Sequence, residues 1–348
     1  MSTTIAPPSP APAPGHEKSA WKVALAPYAK PDLRRSVLDL LTSVVPYIAG
    51  FVAMYLLLDV SYVLTLLLSI PTAGFLLRTY IVFHDCAHGN FMPTKRGNQV
   101  VGVFTALLVY TPFSAWRHSH AMHHASAGDL DRRGDGDVPT MTVAEWNTAS
   151  RGKRLEYRLT RSPWIMFTIG PFYALVLQPR LWKRTDRPRI QNSIKLTNIT
   201  LVVAVAVLCV VMGPVAFLAV QLPLVVLAGG AGIWLFFVQH QYEDAYWENS
   251  DSWDYAEAAL QGSSYLKLPK VLQFFSGNIG LHHVHHLSAK VPNYRLQAAH
   301  DDTDLFRDVP VLSLGTAVRS MRLKLWCEDR KRLVTWAEAA EPAPAAAA

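Results

Sequence analysis

Cysteine is scarce in this chain of 348 residues: Cys86, Cys209 and Cys327 are the whole supply, and they lie far apart. An odd number with no CxxC spacing excludes a disulfide framework and a cysteine zinc site. Charge is thin as well. Only 17% of residues are Asp, Glu, Lys or Arg, against 51% hydrophobic, which excludes a disordered polar chain. Acidic residues are the scarcer sign, 26 against 33 basic ones, for a formal charge of +7. That excess suits nucleic acid or an anionic membrane surface, and composition does not choose between them. A mean hydropathy of +0.15 is too low for a chain that is oily throughout.

What is present is long uncharged runs. A bilayer core about 30 Å thick needs roughly 20 apolar residues of helix. From Ser36 to Leu58 only Asp39 is charged, and Val60 to Leu77 carries no charge before Arg78. Leu196 to Tyr242 is 47 residues without Asp, Glu, Lys or Arg. Two crossings fit in it, joined near Gly213-Pro214 or at Gln221-Leu222-Pro223. Helices of a soluble core would carry a polar stripe at 3.6 spacing, and these do not. The expectation is an all-α integral membrane protein with four spans, about 37–58, 60–83, 197–217 and 220–240. Two further stretches, Gly97–Trp116 (apolar heart Val100–Tyr110) and Ser162–Pro179 (broken at Gly170-Pro171), are short for a crossing and suit re-entrant or interfacial segments.

The basic residues orient this arrangement. Five precede the first span, sixteen lie between Lys95 and Lys195, eleven follow Tyr242, and Arg78 stands near the inner end of the second span. The two loops expected outside contain none. This positive-inside pattern puts both termini, the long middle loop and a helical cap in the cytoplasm, at the inner membrane if the chain is bacterial, and makes nucleic acid an unneeded partner. The Pro/Ala-rich ends, 1–30 and 336–348, read as disordered tails around a membrane domain at 31–335. The N-terminus has no signal-peptide apolar region, so the first span is expected to direct insertion.

Eleven of the 13 histidines fall in four places. His84-Asp85-Cys86-Ala87-His88 follows the second span, and His118, His120, His123 and His124 sit in WRHSHAMHH. His240 follows the fourth span, and His282, His283, His285 and His286 form HHVHH. On a helix, i shares a face with i+3 and i+4. His84 with His88, His120 with His123 and His124, and His282 with His285 and His286 can therefore each ligate together. With His240 these make nine, more than one metal can hold and natural for a pair. Imidazole suits iron, zinc, copper or nickel. All four groups must meet at one membrane face, which requires that Val100–Tyr110 does not cross. His118 and His283 fall off the ligand spacing and are expected to hydrogen-bond and orient ligand rings; the neighbouring Asp85, Glu243 and Asp244 read either as doing the same or as ordinary solvated residues of the interface. Asp129, Asp131, Asp135 and Asp137 lie in a Gly-rich loop without EF-hand spacing, read as a solvated turn or substrate-entrance element. Cys86 is expected to pack.

At these residues the chain resembles the integral-membrane fatty acid desaturases. HDCAH, HAMHH and HHVHH match the family's three histidine boxes, and SAGDLDRRGDGDV, VQHQYEDAYW and NIGLHHVHHLSAKVPNYRL are similar in phrasing, over roughly residues 30 to 330. Three residues between the first two histidines is like the omega-6 (Δ12) acyl-lipid branch. The resemblance implies two iron ions held by the nine histidines, with O2 as co-substrate, forming a cis double bond in the acyl chain of a membrane lipid or acyl thioester. It implies two electrons from ferredoxin, or from cytochrome b5 with its reductase. No HPGG motif is present, so no cytochrome b5 domain is expected to be fused. A basic surface including Arg132, Arg133, Arg184 and Arg187 suits an acidic carrier, and equally these four read as ordinary members of the positive-inside set. A hydroxylase or ketolase acting on an alkane, carotenoid or acyl chain would use the same ligands. A metal transporter would want ionisable residues within its spans.

Overall fold

A computed structural model of the protein describes residues 14–341 apart from residue 135. Four helices are long and apolar enough to cross a membrane: Leu33–Leu57, Tyr62–His88, Pro188–Met212 and Pro214–His240. Asp32 starts the first by accepting the Arg35 N–H at 2.9 Å. Leu38, Leu41, Val45, Ile48, Val52 and Leu56 recur along one face of this helix and stay about half exposed. On the third, Val210 is 86% exposed and Val211 71%. In water such stripes would demand a partner. In hydrocarbon they need none, because the helix satisfies its own backbone groups.

The third and fourth spans part at Gly213, not between 217 and 220. Gly213 takes φ 86, a left-handed turn that a side chain would strain, and Pro214 opens the next helix where its missing N–H costs nothing. Pro223 is absorbed within that helix.

Val100–Tyr110 is not part of any of the four long helices. Helices Lys95–Leu108 and Phe113–Ser126 meet at a bend of 101°, and the second of them returns to the end of the second span. Gly102 makes the return close: a Cβ there would stand 2.2 Å from Phe113 Cε2. Gly102→Ala is expected to cost about 1–3 kcal/mol of overpacking, read as a lower melting temperature of the detergent-solubilised protein; an unchanged melting temperature would refute this contact. Ser162–Pro179 breaks into short helical turns that leave Trp164 81% and Ile169 58% exposed, as an interfacial segment does.

The two tail expectations need correction. The N-terminal tail is shorter than 1–30, since Pro14–Leu25 is helical, Leu25 is buried in the core, and Tyr28 OH donates to Asp302 at 2.8 Å. Residues 1–13 lie outside the described residues. Near the C-terminus Trp336 packs on Trp146 at 4.5 Å and Glu338 pairs with Arg332, and 342–348 lie outside the described residues. The cap is mostly helical, but it also contains small strand pairs: Met141–Thr142 beside Leu325–Cys327, Leu325–Cys327 beside Arg332–Val334, and Tyr265–Leu266 beside Val311–Leu312. Two apolar clusters flank the histidines, one around Phe83, Cys86, Phe91 and Phe113, the other around Leu235, Phe237, Val284 and Leu287. Cys86 packs within the first.

Candidate metal centre

His84 and His88 occupy the last turn of the second span and share one face. His120, His123 and His124 ride on helix Phe113–Ser126, His240 ends the fourth span, and His282, His285 and His286 form a short helix in the cap. Their ring nitrogens converge into two groups. His84, His88, His120, His124 and His285 make one; His123, His240, His282 and His286 make the other; within each the donor atoms lie within 4.8 Å. The groups touch: the His124 ring stacks on His286 at 4.2 Å and 17°.

The boxes therefore do not each serve one ion. Successive helical residues turn by about 100°, so i and i+4 stay within about 40° while adjacent residues diverge. The i,i+4 pairs His84/His88, His120/His124 and His282/His286 each stay together, whereas His123 and His285 cross to the other group.

These donors fit metal. His88 Nε2, His123 Nε2 and His286 Nε2 are buried without any hydrogen-bond partner, which buried polar atoms avoid. Elsewhere Nε2 faces Nε2: His84 to His120 at 3.0 Å, His120 to His124 at 3.2 Å, His124 to His285 at 3.0 Å, and His240 to His282 at 2.9 Å. With metal–nitrogen bonds of about 2.1 Å, neighbouring ligands of an octahedral ion stand about 3.0 Å apart. Neither group, among the described residues, includes a carboxylate. Burial, and then the neighbouring histidines, push His120, His124, His282, His285 and His286 well below the usual imidazole range, leaving neutral rings with lone pairs.

Three rings are anchored from behind. His84 Nδ1 meets Asp85 Oδ1 at 3.0 Å, His123 Nδ1 meets Asp137 Oδ1 at 2.6 Å, and His240 Nδ1 meets the Gly262 carbonyl at 3.1 Å. Each acceptor holds the proton on Nδ1 and leaves the Nε2 lone pair facing inward. Trp116 stacks on His120 at 4.3 Å, and Phe236 lies against His123 at 5.1 Å, walls that keep water out.

Of the expected orienting residues, Asp85 alone touches a ring of either group. His118 and Asp244 are exposed, and Glu243 pairs with Arg332 instead. His283 is buried but turns away, its Nε2 meeting His300 Nδ1 at 3.0 Å and its ring lying on Phe306. The acidic loop is neither wholly solvated nor open. Asp129 is buried against Arg132 and Ser250, and Arg133 pairs with Glu145, which leaves Arg184 and Arg187 as the exposed cations of the four without an ion pair among the described residues, while Arg132 is exposed but bound to Asp129. Asp137 is the residue that helical spacing missed. Its signal was the preceding Gly136: at φ 83, with Ser119 O only 3.1 Å from an added Cβ, the loop presses onto box two where no side chain fits.

The sequence profile of the fatty acid desaturase family matches residues 28–310. A protein called "Fatty acid desaturase" in Bacillus subtilis (strain 168) is 43% identical over 92% of this chain and 91% of its own length. An "sn-1 oleoyl-lipid 12-desaturase" of Anabaena variabilis is 26% identical over 72% of this chain and 69% of its own. An "Omega-6 fatty acid desaturase, chloroplastic" of Glycine max is 25% identical over 64% of this chain and 52% of its own. Four membrane-length helices, two adjoining histidine groups and a profile match over most of the chain agree, and the protein belongs to the fatty acid desaturase family.

Proposed function

We propose that the protein is an O2-dependent di-iron desaturase that places a cis double bond in an acyl chain. The observation that carries this is the pair of buried, carboxylate-free histidine groups in contact at one end of the spans. His84, His88, His120, His124 and His285 would hold one iron, and His123, His240, His282 and His286 the other. Bound iron would supply reductive activation of O2 and an oxidant strong enough for unactivated C–H bonds. The balance is –CH2–CH2– plus O2, two electrons and two protons, giving –CH=CH– and two waters.

The chain's own residues do the rest. The acceptors on Nδ1 fix ring orientation, while Trp116 and Phe236 exclude water from the reacting carbons. The positive-inside distribution supports a cytoplasmic position for this end, where exposed Arg184 and Arg187 would suit an acidic one-electron carrier such as ferredoxin or cytochrome b5.

Expression in a host without desaturases, followed by gas chromatography–mass spectrometry of total acyl chains, tests the reading. A new cis-unsaturated chain that requires O2 is expected. A hydroxylated or ketonic product, or none, would overturn it.

A further inference from the structure

Asp39 and Arg78 are the charged residues that interrupt the first two oily runs, and a role in the membrane must justify each. They pair with one another, Arg78 Nη2 donating to Asp39 Oδ1. Arg78 also donates to the Phe274 carbonyl and lies over its ring at 4.1 Å. The other oxygen of Asp39 accepts Asn293 Nδ2 at 2.9 Å. Asn293 then reaches Asp85 twice, through its backbone N–H at 2.7 Å and Nδ2 at 3.1 Å, both onto Oδ2. Oδ1 of Asp85 is the atom that meets His84. Asp39, Asp85, Asn293 and His84 are each at most 5% exposed.

This line crosses from the two spans to the loop after the third box. The same loop is clamped nearby by Asn90 Nδ2 on the Ala289 carbonyl at 2.7 Å and by Tyr294 OH beside Ser36 Oγ at 3.1 Å. It is thus the strap that brings His285 to His84 and His88. The guanidinium is paired with Asp39 at the far end of the line, and Asp85 Oδ1, at the near end, is the oxygen that meets the five-histidine group. Within that group His84 is the member with a carboxylate hydrogen bond, as His123 is within the other group.

We propose that Arg78, Asp39 and Asn293 are positioning residues: a relay that holds the Asp85 carboxylate on His84 Nδ1 and so secures the metal of the five-histidine group, while Asp137 on His123 independently secures the other. The proposal rests on the two-metal reading above. Loss of such a partner weakens metal affinity by about 10- to 100-fold. Backbone hydrogen bonds do not supply the same charge, so the carboxylate is the part that matters.

The test uses full-length protein in detergent, loaded anaerobically with Fe(II), with release to a colorimetric Fe(II) chelator followed in time. Wild type is expected to hold two irons and release both slowly. Asp85→Asn and Asn293→Ala should each release one iron about 10- to 100-fold faster and leave the other unchanged. Asp85→Asn with Asn293→Ala should be no faster than either alone, because both act through one carboxylate. Asp137→Asn should speed one iron, and Asp85→Asn with Asp137→Asn should speed both. Should Asn293→Ala not fold, Asn293→Gln carries the same test, since its amide is displaced by a methylene. Release from Asp85→Asn at the wild-type rate, or equal acceleration of both irons in any of the single variants, overturns the relay. Wild type that holds fewer than two irons overturns the two-metal reading instead.

Discussion

Replacing His124 with alanine is expected to reduce desaturation below detection while the protein still inserts and purifies as wild type. His124 is the joint of the site. Its Nε2 stands 3.2 Å from that of His120 and 3.0 Å from that of His285, and its ring stacks on His286 of the second group. Alanine there removes one of five donors and opens a void between the two groups, so both the affinity of one metal and the spacing of the pair suffer. The helix carrying it, Phe113–Ser126, lies outside the four long spans, which is why insertion should survive. Metal analysis should fall from about two ions per chain toward one. His118→Ala, six residues back on the same helix and exposed to solvent, is expected to change activity less than twofold. Retained double-bond formation in His124→Ala would sink the ligand set.

Acid is expected to be the second large perturbation. His120, His124, His282, His285 and His286 are held below the usual imidazole range by burial. In the unfolded chain they titrate near the ordinary value of about 6.5. Below that pH the unfolded state binds more protons than the folded one, so stability falls as pH falls; above it their contribution is fully present. The window lies between about 6.5 and the lowered folded values, and each such group removes about 1.4 kcal/mol per pH unit within it. Protons also compete with metal for the same lone pairs, with the same sign. Melting temperature and bound metal should therefore both drop between about pH 6.5 and pH 5, and metal-stripped protein should still show the loss of melting temperature. A flat profile over that interval would mean these rings are not buried neutral.

That those rings could act together was already implicit in their register. Hydropathy depends on composition along the chain, so the four spans were readable from uncharged runs, and the i,i+4 pairs from the helical period. The shared-face requirement kept Val100–Tyr110 from being read as a crossing, because box one and box two must meet, and the segment is indeed a short helix bent by 101° against the one that carries box two. Boundaries were less legible. Gly213 and Gln221-Leu222-Pro223 both offered a break, and only a real turn at φ 86 chooses the first. The first thirty residues looked like a Pro/Ala tail because Trp21, Leu25 and Tyr28 are too few to reveal that Tyr255 and Asp302 wait to receive them.

The sequence by itself determined that oily helices carry histidines to one end of a membrane, for hydropathy and helical period are local. Only the tertiary structure decided how nine histidines divide into five and four. Adjacent residues such as His123 and His124 diverge by about 100°, and which group each faces depends on how separate helices dock. The same holds for the charges. Asp244 lies four residues after the fourth-span histidine yet is exposed to solvent, whereas Asp137, Asn293 and Asp39 arrive from 14, 208 and 45 residues away to hold His123, Asp85 and, through Asn293, His84. Hydrogen bonds of that kind close loops that no spacing rule encodes.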